Sequence, residues 1–132
     1  QLPDGRIVAG RVTALMTSSA SAVLNAVKAM ANIPDKALLL SPEVLNPIIK
    51  LKKDVLNSDK CKLNLADVLT ALSICAAGDE TVKSAYDQLS LLKNCESHSS
   101  CMLPEIDMSM FRKLGLNVTC EPQFATKPLF NA

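Results

Sequence analysis

A chain of 132 residues has the length of one domain and is large enough to close a single core. Although 48% of it is hydrophobic, it has one Tyr, three Phe and no Trp, so that core must be aliphatic. A formal net charge of +1 and so few aromatics argue against a basic, base-stacking surface for nucleic acid, and no apolar run reaches the length of about eighteen residues that a membrane-spanning helix needs.

Pro3-Asp4-Gly5 is a turn signal, and Arg6 to Val12 behind it is rich in β-branched residues and alternating. This predicts an N-terminal hairpin: a strand entering at Gln1-Leu2, the Asp-Gly turn, and a strand to Val12. Thr17, Ser18 and Ser19 are good N-caps ahead of Ala22, Val23, Ala26, Val27 and Met30 at helical spacing. Ile33-Pro34 ends that helix, because the residue before proline avoids the α region. Ala37-Leu38-Leu39-Leu40 reads as a short buried strand. Ser41-Pro42-Glu43 has the order of a helix start, but Pro47 predicts a break after one turn, with Asn46 capping a fresh helix through Ile48, Ile49, Leu51, Val55 and Leu56. Residues 57–62 read as an exposed polar loop.

Asn64 and Asp67 stand in a capping-box relation, and Leu65, Val68, Leu69, Leu72, Ile74, Cys75 and Ala76 make the next helix apolar nearly all round, which predicts the most buried helix. Gly78 ends it, and Asp79 caps another helix to about Lys93. A strand from Cys95 to Leu103 stops at Pro104, Asp107 caps a short helix to Leu114, Gly115 closes it, and Leu116 to Cys120 forms a last strand. Strands alternating with helices predict an α/β fold: a three-layer sandwich with a mixed sheet that starts from the hairpin and carries helices on both faces. Residues 1–122 then form the single α/β domain and residues 123–132 an irregular C-terminal tail.

Leu2 to Val8, Pro47 to Lys52 with Val68 to Ser73, and the block from Cys95 through Glu121-Pro122 together resemble the C-terminal domain of a bacterial family of unknown function. The resemblance implies a longer polypeptide, consistent with a start at Gln1, and an upstream glycine-rich, phosphate-binding-loop-like stretch where any nucleotide chemistry would lie. Cys95, Glu96, His98, Ser99, the run Phe111 to Gly115, and Thr119 to Pro122 match the family's closing motif. The chain departs from it at Asn94, where glycine is expected, and at Cys101, where an aliphatic residue is expected. The order of elements also resembles, by topology alone, the cytidine deaminases, but His98 is followed by Ser99-Ser100 and no Cys-x-x-Cys exists, so their zinc motif is missing.

The spacing of Cys95, His98 and Cys101 invites a zinc reading. On a strand, however, the two thiols and the imidazole point to opposite faces, so no metal site is expected. Glu96, His98 and Ser100 share one face, where a carboxylate about 6–7 Å along the backbone is placed to orient the ring for acid–base work. The plainer reading is a histidine hydrogen-bonded at a sheet edge. Cys120 is a candidate partner for His98 against the plain reading of a core thiol, and Arg112 is a candidate charged group at a shared cleft. Thr17, Ser18 and Ser19 are candidates for anion binding against simple N-capping, and Lys50, Lys52 and Lys53 read as a solvated helix face.

Five irregularly spaced cysteines suit reduced thiols in a cytoplasmic protein. Two functions are compatible with these residues. One is an accessory, interaction or regulatory domain whose partners are the upstream domain of the same polypeptide and, in a homo-oligomer, a second copy; it needs no cofactor, nucleic acid or membrane. The other is half of an active site, with Glu96 and His98 facing a cleft shared with the upstream region.

Overall fold

Helix α1 (Ser18–Met30) is the most enclosed element, with eight of its 13 residues buried, in a computed structural model that describes residues 1–121. Pro122 and the tail expected at 123–132 lie outside the described residues. Thr17 caps α1 by accepting a hydrogen bond from the Ala20 N–H, and Asn32, at a φ of 59°, follows its end. Small Ser and Ala side chains on this helix let neighbours approach from several sides.

Helix α2 (Pro42–Lys50) runs straight through Pro47 and passes into a π-helical turn over Leu51–Val55, so the predicted break and fresh start at Asn46 do not occur. A proline there removes one N–H, and the carbonyl this would leave free, four residues back, belongs to solvent-exposed Glu43. Helix α3 (Leu65–Ala76) begins with the expected reciprocal capping box between Asn64 and Asp67. It buries only five of its 12 residues and leaves Ile74 69% exposed, so the expectation that it is the most buried helix gives way to α1. Helix α4 (Glu80–Tyr86), capped by Asp79, is shorter than expected and is followed by a 3₁₀ turn over Leu89–Leu92.

The chain closes with a β-α-β unit: strand β1 (Glu96–Ser99), helix α5 (Glu105–Leu114) and strand β2 (Asn117–Cys120). The strands pair in parallel, with Glu96 opposite Asn117, Ser97 opposite Val118, His98 opposite Thr119 and Ser99 opposite Cys120. Asn94 takes a φ of 68° where glycine is expected, and its N–H donates to the Gly115 carbonyl at 2.8 Å, so asparagine, which tolerates this region better than most residues, keeps the turn into β1. Helix α5 starts at Glu105 and not at Asp107, which is instead turned fully inward.

The protein is therefore a mixed α/β domain, and its sheet is two-stranded among the described residues. The Pro3-Asp4-Gly5 turn forms, but residues 6–12 make no ladder, and residues 36–40 form no strand: Leu39 and Leu40 fill the core from an irregular segment. A short apolar run without β-branched residues has no strong preference for a pleat. The core is aliphatic as expected, built around Val27, Leu45, Leu63, Leu65, Val68 and Leu72, with Phe111 the one buried aromatic among the described residues. No helix among the described residues is long and apolar enough to cross a membrane.

Candidate functional site

Burial along β1 alternates, with Glu96 and His98 exposed and Ser97 and Ser99 half-buried. Cys95, buried just ahead of the strand, keeps the inward phase opposite the imidazole, whereas Cys101 lies past the strand end in a bend, half-buried, and lines the same cleft as His98. Among the described residues no three His, Cys, Asp or Glu side chains gather closely enough to hold a metal ion, and the cysteines form no disulfide.

His98 is held at both ring nitrogens. Nδ1 lies 2.8 Å from Oγ1 of Thr119, its register partner, and Nε2 lies 3.4 Å from Oε1 of Glu121. The Thr119 hydroxyl also lies 3.5 Å from the Ser97 carbonyl, at the limit of a hydrogen bond. Because the Glu121 carboxylate only accepts, Nε2 is the ring nitrogen that donates in that contact, which leaves Nδ1 of the neutral ring to accept from the Thr119 hydroxyl. Glu96 makes no hydrogen bond to the ring; its carbonyl accepts one from the α-amino group of Gln1. Cys120 lies opposite Ser99, one residue out of phase with the His98–Thr119 pair, and so belongs to the other face. Arg112 lies on α5, where Nη1 sits 3.6 Å from Oε1 of Glu105 at the surface.

A cleft of about 860 Å³ opens between β1 and the unladdered segment 7–12. Glu96 and His98 line one wall, and Ser18, Ser19, Ala22 and Phe111 contribute to its lining from α1 and α5. Gly10 lies directly on α1: a Cβ there would make a hard overlap with the Ala22 backbone nitrogen, so no side chain fits.

Of the three residues read as an anion cradle, Thr17 is committed elsewhere. Its Oγ1 donates to Oδ2 of Asp107 at 3.0 Å, while Oδ1 of Asp107 accepts from the Leu65 N–H at 2.8 Å. This carboxylate, with 0% exposure, serves the start of α1 and the start of α3 together, so the positive end of α1 already faces a negative charge. The Ser19 hydroxyl is buried without a partner among the described residues. Asp107, Thr119 and Glu121 are the site residues that spacing did not reveal. Thr119 and Glu121 meet His98 only through the β1–β2 register, and Asp107 looks like a helix cap until the fold turns it inward.

The fold defines a helix-rich α/β domain completed by one parallel β-α-β unit, with a cleft along the outer edge of its sheet. Residues 1–130 match the family model described as "Domain of unknown function DUF1846, C-terminal", and the chain belongs to that family. It is 45% identical over 130 residues to a UPF0371 protein of Clostridioides difficile strain 630 and 45% identical over 130 residues to one of Clostridium botulinum strain Langeland. A UPF0371 protein of Clostridium tetani strain Massachusetts is 41% identical over the same length. In each case the match covers 98% of this chain and 26% of the relative, so the chain spans about a quarter of the length of the curated relatives it matches.

Proposed function

We propose that this chain is an accessory interaction domain that packs against the preceding part of the longer family polypeptide, in a cytoplasmic protein whose upstream region binds a nucleotide or other phosphate ligand. Large apolar side chains stand exposed at several places on the surface, and the ones that carry the reading lie along segment 7–12 and the hollow beside it: Ile7 is 78% exposed, Val12 61% and Leu38 73%. Ile7 and Val12 flank the cleft on a segment without ladder partners, and Leu38 lines a second hollow beside Ala9 and Arg11. Surfaces of this kind mark contacts with another body, and the relatives carry roughly three quarters of their length outside this domain.

A protease site introduced ahead of the domain in a full-length family polypeptide tests this. After cleavage the two parts are expected to co-elute on gel filtration, and Leu38→Glu with Val12→Glu to weaken that association. Clean separation of the cleaved wild-type parts overturns the proposal.

A second reading, half of an active site, is supported by His98: it lines the cleft with both ring nitrogens engaged, so a group entering there would meet an oriented imidazole. Mass spectrometry of small molecules retained by the full-length protein and by its His98→Ala variant tests it. A molecule held by the wild type and lost from a folded variant supports this reading, and identical profiles count against it.

A further inference from the structure

We propose that the cleft is the slot for one extended strand, formed by the roughly five residues that directly precede Gln1 in the family polypeptide, and that this strand completes a four-stranded mixed sheet. The inference deepens the docking reading and rests on the same upstream polypeptide. Three features of the described residues meet in it.

The first is a hairpin that has already begun. The Leu2 N–H donates to the Arg6 carbonyl and the Gly5 N–H to the Leu2 carbonyl, both at 2.9 Å, with Gly5 at a φ of 91°. That is the geometry of a three-residue hairpin loop closed by a left-handed glycine, with Leu2 and Arg6 as the first pair. Its outgoing strand is the β-prone segment 7–12, and its incoming strand leads back through Gln1.

The second is the direction of the main-chain groups. On β1, the Cys95 carbonyl accepts from Asn117 N–H at 2.9 Å and the Ser99 carbonyl from Glu121 N–H at 3.0 Å. Alternate residues of a strand direct their main chain to opposite edges, so Glu96, His98 and Ser100 direct theirs away from β2 and into the cleft. The Gln1 amino group, which is a peptide N–H in a longer chain, already donates to the Glu96 carbonyl. Gln1 thus bonds toward β1 and Leu2 toward Arg6, the alternation of a strand lying between two others. Continued upstream and antiparallel to both, the chain would bond in turn to Val8, His98, Gly10, Ser100 and Val12. The Ala9 carbonyl, in the opposite phase, is taken by the Asn25 side chain at 2.9 Å.

The third is size. From its rise, the strand spacing and the sheet thickness, a strand residue occupies roughly 160 Å³. The cleft of about 860 Å³ therefore holds about five. Its lining includes Ser19, Ala22 and Phe111, which suits a strand whose inward side chains are apolar.

Residue-resolved amide hydrogen exchange on a full-length family polypeptide carrying this domain tests the proposal. The amides of Val8, Gly10, Val12, His98 and Ser100 are expected to exchange at least about a hundredfold more slowly than those of Ala9 and Arg11. Replacing the residue two before Gln1 by proline removes the N–H that faces the His98 carbonyl and breaks a central strand, which is expected to lower the protection at His98 by at least about tenfold. Uniformly fast exchange at the five amides overturns the proposal, and so does protection that rises with protein concentration, which would place a second copy in the slot. Cleavage ahead of this upstream segment separates the two ideas. Parts that stay together with fast-exchanging amides leave docking intact and remove the strand; parts that separate with the alternating protection retained do the reverse.

Discussion

The Thr17 hydroxyl and the Asp107 carboxylate, ninety positions apart, share a hydrogen bond of 3.0 Å that fastens the start of α1 to α5. The other oxygen of Asp107 takes the first N–H of α3, from Leu65. Asp107→Ala would leave that N–H and the Thr17 hydroxyl buried without this acceptor, a loss of about 3 kcal/mol. Asp107→Asn keeps one acceptor but sets an amide against a hydroxyl that already accepts from Ala20, so about 1–2 kcal/mol is expected. Urea unfolding of both variants measures this; equal, near-zero effects would refute the role given to Asp107.

Lys52 and Lys53 are neighbours with different fates. Lys52 Nζ lies 2.7 Å from Oδ2 of Asp67 and 2.9 Å from the Lys62 carbonyl, with its side chain 13% exposed, whereas Lys53 is exposed. The bond also secures the aspartate of the α3 capping box. Lys52→Ala is expected to cost about 1–2 kcal/mol and Lys53→Ala less than about 0.5 kcal/mol, read from denaturant midpoints. Equal costs would make the lysine cluster the plain solvated face that its sequence suggests.

Gly10→Ala places a methyl group into the α1 backbone at Ala22. Segment 7–12 must then lift or α1 must shift, with a cost of about 1–3 kcal/mol. Protease sensitivity at Arg6 and Arg11 reports the lifting; a variant as resistant and as stable as the wild type would show that the close approach does not hold.

At the first turn, the Arg6 backbone N–H is the main cause that lowers the Asp4 carboxyl below its ordinary value, and the Arg6 side chain adds to it. A folded pKa below the unfolded one stabilises the turn above the unfolded value of about 3.9, and that stabilisation fades as pH falls through the folded pKa. NMR titration should show Asp4 titrating below a model aspartate, with the Gly5 and Arg6 amides losing their turn shifts in acid. A normal titration midpoint contradicts this.

Local chemistry was the legible part of this fold. The Asp-Gly turn, Thr17, Asn64 with Asp67, Asp79 and Gly115 all start or stop elements where their side chains or backbone dictate. The phase of β1 was legible too, because a pleat needs only alternation. Pro47 misled because a helix can continue past one lost N–H where the carbonyl it frees, on Glu43, is exposed to water, and Leu39 and Leu40 misled because an apolar run can fill a core without pleating. The environment of His98 was hidden for another reason. Glu96 stands two positions away in sequence, but Thr119 and Glu121 reach the ring through strand register, which no local pattern encodes.

The anchoring of two helix starts on Asp107 also bears on the order in which the molecule can be made. While a ribosome is still adding the residues before α5, α1 lacks the charge that faces its first turn, α3 lacks the acceptor for its first N–H, and β1 lacks the strand that holds His98. Folding of this domain during translation therefore waits for nearly all of it to emerge, and a nascent chain halted before residue 107 should remain open to proteases.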